Sequence, residues 1–223
     1  MLRAAEAVDL LKGKPTRGLK TAHAVRAVTR EDILSDTDMA ALKAALPERY
    51  RLAVELMAVG MRLGEVFGLR RHRVTLKGDV LVRSQVTQVR GRLVEGPPKS
   101  SNGVRDLPLP HLREEMMRHI GEYAQPEADG FVFTSETGTP VFTGTFRDRY
   151  WRQALASAGL PYQPPHNLRH VAACRLADAG FSTVQVARWL GDTAATVEST
   201  YINVLPNAQD RMATVFNREE GVR

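Results

Sequence analysis

The chain has a single cysteine, Cys174, from which no internal disulfide can be built. Its flanks, Val171-Ala172-Ala173 and Leu176-Ala177, give it the apolar setting expected of a buried thiol in a reducing cytoplasm. No apolar run reaches the length of about 18 residues that a membrane span needs, and no basic-then-apolar leader with a cleavage site opens the chain, so neither membrane insertion nor secretion is expected. Cys and His are nowhere spaced as in a zinc site, no Gly-x-x-x-x-Gly-Lys loop offers itself to a nucleotide triphosphate, and carboxylates do not cluster at metal-ligand spacing. No metal and no cofactor is therefore expected. What the chain has in surplus is positive charge: 31 Lys and Arg against 25 Asp and Glu, net +6 and a pI near 9.8, a balance that favours a polyanionic partner without naming it. At 223 residues, 43% hydrophobic and 25% charged, it is long enough for one sizeable core, or for one domain and a small appendage.

Residues 1–30 mix basic and small side chains around Gly13, Pro15 and Gly18 without periodicity, and read as a linker or the remnant of a missing N-terminal domain. Residues 31–223 read as the folded unit. Ser35 and Asp38 mark a capped helix over 37–45, and Pro47 suits the first position of the next. Leu52, Leu56, Met57 and Val59 then share a face until Gly60 breaks the pattern, so Arg62 is expected at a helix junction. Between 74 and 109 the period changes to two, with a turn at Arg90-Gly91, which predicts a small antiparallel sheet of three strands. Lys99 falls in the loop Pro97-Pro98-Lys99-Ser100-Ser101-Asn102-Gly103. Helices are expected over 110–124, 144–158, 167–179, 182–190, 194–202 and 207–218, with a short strand at Phe131-Val132-Phe133. The fold class is thus mixed α+β and mostly helical.

Two boxes stand out against this background. Pro165-His166-Asn167-Leu168-Arg169-His170 places a histidine and an arginine one helical turn apart, and Tyr201 follows at the end of a later helix; upstream stands Gly60-Met61-Arg62-Leu63-Gly64-Glu65. Taken singly these residues are ordinary: a core tyrosine, an arginine paired with Glu65, a solvated loop lysine, a histidine at a helix start. In this order they resemble the boxes of the tyrosine recombinases, the phage integrase family, over roughly residues 30–215. That resemblance implies the tyrosine-recombinase catalytic fold, with 31–223 as catalytic domain and C-terminal tail helix, and 1–30 as what is left of an N-terminal DNA-binding domain. It implies a site-specific recombinase acting on double-stranded DNA recombination sites in integration or recombination, as a monomer in solution and a tetramer on DNA.

The chemistry suits these residue types. Opening a phosphodiester requires charge to be stabilised on the non-bridging oxygens, a nucleophile in line, and a proton for the leaving 5′ oxygen. Guanidinium forks match phosphate geometry, so Arg62 and Arg169 are the expected clamp. Lys99, a movable charge with a proton to give, suits the general acid; His166, which titrates near neutrality, can exchange a proton with the tyrosine or bind the phosphate. Tyr201 is the expected nucleophile. The resemblance adds that the link is a 3′-phosphotyrosine and that rejoining needs no ATP. His170, next to Arg169, is expected to point elsewhere as structural support, and Glu65 to orient Arg62.

One position departs from the pattern. At Asp192, nine residues before Tyr201, relatives usually carry histidine or tryptophan that donates to the scissile phosphate, whereas a carboxylate repels it. A slower enzyme, one in which Trp189 or His170 compensates, and an attenuated variant are all consistent with this. Asn167 stands where aspartate is frequent and is expected to cap the helix of Arg169. The segment from Pro206-Asn207 to Phe216 resembles the tail that relatives dock on a neighbouring protomer, and equally suits packing on its own domain. Rival readings are a type IB topoisomerase, a degenerate integrase that only binds DNA, and, more distantly, a metal-dependent nuclease.

Overall fold

The computed structural model describes residues 28, 29 and 32–201. The helix expected over 207–218 and nearly all of segment 1–30 lie outside them. In chain order the elements are α1 (Asp36–Ala45), α2 (Glu48–Ala58), α3 (Leu63–Phe67), β1 (Asp79–Val82), β2 (Gln85–Val89), β3 (Arg92–Gly96), β4 (Arg105–Pro108) and α4 (Arg113–Tyr123). There follow α5 (Thr143–Thr145), a π-helical stretch Phe146–Trp151 running into α6 (Arg152–Ser157), then α7 (Leu168–Asp178), α8 (Thr183–Leu190) and α9 (Ala194–Tyr201).

The helix starts follow local chemistry. Ser35 Oγ accepts from the Asp38 N–H at 3.1 Å while the Asp38 carboxylate accepts back from the Ser35 N–H and hydroxyl, a reciprocal cap that opens α1. Pro47 precedes α2 as its cap residue, one position earlier than expected. α2 buries Tyr50, Leu52, Ala53, Val54, Leu56, Met57 and Ala58, and α7 buries residues 168–174 and Ala177. Helices hidden on nearly every side belong in the middle of a helical layer, and these two pack on each other. Beside them Phe67 meets Phe133 edge-on at 5.6 Å between ring centroids, Tyr50 meets Phe146 at 5.5 Å, and Trp151 is fully buried.

The strands form two antiparallel pairs rather than one sheet of three. β1 pairs with β4, Val80 opposite Leu107 and Val82 opposite Arg105, and β2 pairs with β3 across the Arg90-Gly91 turn. The reason is apolar area. Val80, Val82 and Leu107 are buried, but in the hairpin only Val86 is, while Val89 and Val94 face solvent, so β2 and β3 have too little to bury to extend the other pair. Nor does Phe131-Val132-Phe133 become a strand: it runs beside Leu69–Arg71 with the single bridge Arg70 to Phe131.

Gly60 turns the chain from α2 toward Arg62 with φ of +106°, a conformation that disfavours side chains. A Cβ there would lie 2.7 Å from Leu190 Cδ2. Arg62 follows in extended conformation as the residue that caps α3, at the junction expected for it. We expect Gly60→Ala to lower stability by about 1–3 kcal/mol, read as a shift of the urea midpoint; an unshifted midpoint would show that the bend tolerates a side chain.

Candidate active site

The site is organised by the end of α8. Its start is fixed by Ser182 and Gln185 in a reciprocal cap, and Gly191, with φ of +70°, ends it. A helix leaves its last carbonyls without intrahelical donors. Here three arginines supply them: Arg105 Nε donates to the Trp189 carbonyl at 2.8 Å, Arg169 Nη2 to Leu190 at 2.6 Å and Arg62 Nη2 to Gly191 at 3.0 Å. Cations also suit the negative end of the helix dipole. The Gly60 carbonyl accepts from both Arg169 and Arg105. Any side chain at Gly191 would press on the Asn102 carbonyl at 2.8 Å, so the arginines reach these carbonyls because that corner is bare.

Two carboxylates balance the guanidinium charge. Glu65, 1% exposed, accepts from the Arg62 N–H at 2.9 Å, from Arg62 Nη1 at 2.8 Å, and from both terminal nitrogens of Arg105 at 3.2 and 3.0 Å. Burial resists its ionisation, but Arg105 and then Arg62 outweigh burial and hold the carboxyl below its usual range. The orienting role expected of Glu65 thus has its geometry. Asp192 stands between the other two: Oδ1 accepts from Arg62 Nη2, and Oδ2 from Arg169 Nη2 at 2.5 Å. Burial again opposes ionisation, and Arg169 and Arg62 again prevail, so Asp192 is held low. Arg169 is itself lowered by burial and by Arg62, with Asp192 opposing. One carboxylate therefore takes a donor from each guanidinium, as two non-bridging oxygens of a phosphate would.

Tyr201, 4% exposed, ends α9, and its hydroxyl lies 2.8 Å from His170 Nδ1. This corrects the expectation that His170 points away from the site. His170, buried in the first turn of α7, follows by four residues His166, which stands in the 3-10 turn Pro165–Asn167 leading into that helix, and their rings sit 5.4 Å apart edge to face. Burial pushes the Tyr201 hydroxyl pKa up, against the pull of Arg169. Burial, then His166, brings His170 down to about 4, with Asp32 opposing. His166 has exposed surface at the mouth of the site, yet desolvation by the surrounding walls, then Arg169 and Arg62, lowers it too. Lys99, exposed in the loop between β3 and β4, adds its field on His166 and makes no hydrogen bond to the other site residues among those described.

The structure thus brings together Arg62, Arg169, Asp192, His166 and Tyr201, and leaves Lys99 on the approach. Arg105 was not anticipated, although the signal was present: 105, 107 and 109 share a face of a strand, and an arginine in line with the buried Leu107 and Leu109 needs a buried carboxylate. Trp189 donates its indole N–H to the Val59 carbonyl at 2.8 Å, and His170 is engaged by Tyr201, so both potential compensators for Asp192 are committed. Asn167 holds the N-cap position of α7, but its side chain makes no capping bond; its amide instead donates to Gln163 Oε1 at 3.2 Å. Among the described residues, no group of three His, Cys, Asp or Glu is placed to hold a metal ion, and no helix is long and apolar enough to cross a membrane.

The phage integrase family pattern matches residues 30–207. The tyrosine recombinase XerC-like protein of Caldanaerobacter subterraneus subsp. tengcongensis is 26% identical over 214 residues, covering 85% of this chain and 54% of that protein. A putative prophage phiRv2 integrase of Mycobacterium tuberculosis is 28% identical, covering 98% of this chain and 59% of that protein. The chain spans little more than half the length of these curated relatives. Among solved structures, the Tn1549 transposon integrase in complex with circular intermediate DNA superposes with a TM-score of 0.70 at 19% identity, over 96% of this chain and 76% of that one. XerA recombinase superposes at 0.61 and 19%, over 96% and 71%. These two likenesses are of fold.

Because the Asp192 carboxyl lies lower in the folded chain than the ordinary value of about 3.9, its ion pairs stabilise fully at neutral pH and are lost as pH falls through the folded value. We expect Asp192→Asn to lower stability by about 1–3 kcal/mol at pH 7, and the difference from the parent to close below about pH 4. Urea midpoints between pH 7 and 3 test this; a pH-independent difference would rule out the charge as its cause.

Proposed function

We infer that this chain, which belongs to the phage integrase family, cleaves and rejoins double-stranded DNA at specific sites through a covalent bond to Tyr201. The observation that carries this is the pair of guanidinia, Arg62 and Arg169, fixed on one carboxylate in the same cluster as a buried tyrosine hydroxyl. A scissile phosphate takes the place of the Asp192 carboxylate and puts its non-bridging oxygens on the two guanidinia. Tyr201 Oη then bonds to phosphorus, the bond to the 5′ oxygen breaks, and Lys99 delivers a proton to that oxygen. His166, at the mouth beside both arginines, binds a phosphate oxygen. A 5′ hydroxyl attacking the phosphotyrosine reverses each step, and the stored bond makes ATP unnecessary.

In this reading residues 31–223 are the catalytic unit. It works on recombination sites as a monomer that assembles into a tetramer on DNA, in the cytoplasm of a bacterial or phage-infected bacterial cell. The 3′ polarity of the link follows from the resemblance to tyrosine recombinases. A second reading, a DNA-binding module without catalysis, draws on Asp192, whose carboxylate holds both arginines.

Covalent trapping on nicked duplexes, taken from a randomised pool by retention on this chain and resolved on a denaturing gel, separates the two. We expect an adduct that Tyr201→Phe abolishes and that Asp192→His raises about tenfold, the equivalent of about 1.4 kcal/mol of relieved competition. DNA binding with no adduct from either the parent or Asp192→His would leave the binding module.

A further inference from the structure

We propose that His170 is the catalytic base that takes the proton of Tyr201 as its oxygen attacks phosphorus. The proposal rests on the strand-transfer reading above and names a group that reading leaves open. Its ground is contact: His170 Nδ1 lies 2.8 Å from Tyr201 Oη. His166 is the more exposed of the two histidines, its ring 5.4 Å from that of His170, and it is His170 that hydrogen-bonds the tyrosine. In the tautomer with hydrogen on Nε2, Nδ1 accepts from Oη along the line on which a proton would travel.

The surroundings suit a base that is empty at rest and filled during the reaction. The charged and titratable groups acting on His170 are His166 and Arg169 from its own end of the site, Asp32 from the segment before α1, and Tyr201 from α9. Burial, His166 and Arg169 keep the ring neutral, so its lone pair is free to receive a proton, while Asp32 favours the protonated ring. Asp32 is held in place: its Oδ2 accepts from the Thr29 N–H and hydroxyl at 2.9 Å, and the neighbouring Val28 N–H donates to the Thr200 carbonyl at 2.8 Å. The charge of the Asp32 carboxylate thus favours the imidazolium as it forms, from a stretch of chain separate from those that carry the imidazole and the hydroxyl.

The step balances. The Oη proton passes to Nδ1, the Oη–P bond forms, the P–O5′ bond breaks, and O5′ takes a proton from Lys99. On rejoining, the 5′ hydroxyl returns its proton to Lys99 and attacks, and the departing Oη recovers its own from Nδ1.

The test is the single-turnover rate of adduct formation by the full chain on the nicked duplexes used above. His170→Gln keeps an acceptor for the tyrosine but no base, and we expect it to slow the adduct about 10²–10³-fold at unchanged DNA affinity, with the deficit narrowing as pH rises. His170→Gly, which leaves room for a small molecule, should regain rate on addition of imidazole. Adduct formation by His170→Gln at the parent rate would overturn the proposal. So would a slow His170→Gly that binds DNA but does not respond to imidazole, because the ring would then matter only for packing. Failure of the parent chain itself to form an adduct would instead remove the strand-transfer reading, and this proposal with it.

Discussion

Three guanidinium groups meeting at one helix end is the constraint on which the rest of this structure depends. Arg62 comes from the junction after α2, Arg105 from β4 and Arg169 from α7, and they converge on the carbonyls of Trp189, Leu190 and Gly191. Cations this close repel, and burial strengthens the repulsion. The fold answers with two carboxylates, Glu65 between Arg62 and Arg105, and Asp192 between Arg62 and Arg169, and with the Gly60 carbonyl shared by Arg105 and Arg169. Apart from the bonds of Arg62 to Glu65, three residues on, every bond in this arrangement is also a tie between elements distant in sequence. The interaction that sets the geometry of the site is therefore among those that hold the strand layer to the helices.

The same dependence explains the two bare corners. Gly60 and Gly191 sit where the backbone must approach Leu190 and Asn102 more closely than a side chain allows, and both lend carbonyls to the arginines. Room at these corners and charge at their centre are complementary. A bulkier chain would push the carbonyls off the guanidinia, and neutral side chains would leave the carbonyls buried without donors.

Much of this was legible in the sequence because it was local. The reciprocal cap at Ser35, the break at Gly60 that puts Arg62 at a junction, the turn at Arg90-Gly91 and the extents of α7, α8 and α9 all follow from spacing and residue type. What was not legible depended on which element lies beside which. A three-stranded sheet was expected because alternation marks strands and says nothing of pairing; burial confined to Val86 in the hairpin decided against it. His170 was set aside by comparing it with Arg169, its neighbour in sequence, when the informative comparison was with His166 one turn away in the 3-10 turn that leads into α7. Arg105 went unanticipated because its meaning depends on the burial of Leu107 and Leu109 on the same face, which alternation alone does not give. Asp192 was legible as a departure, but the expectation of simple repulsion missed that a carboxylate could occupy the arginines' donors itself.

That occupancy has a consequence for selectivity. A bare pair of arginines binds any small oxyanion that diffuses in, and free phosphate, sulfate and nucleotides would contend for it. With Asp192 tethered in the same cluster, the contender is part of the chain, present at an effective concentration that no dilution changes. On the proposed function, a solute offering only a phosphate must outbid it with one or two hydrogen bonds, whereas a duplex would bring many further backbone contacts to the exchange. On that reading the carboxylate would act as a threshold that favours long polyanions over short ones, and would make occupancy of the arginines steeply sensitive to how much of the polymer the protein had already engaged.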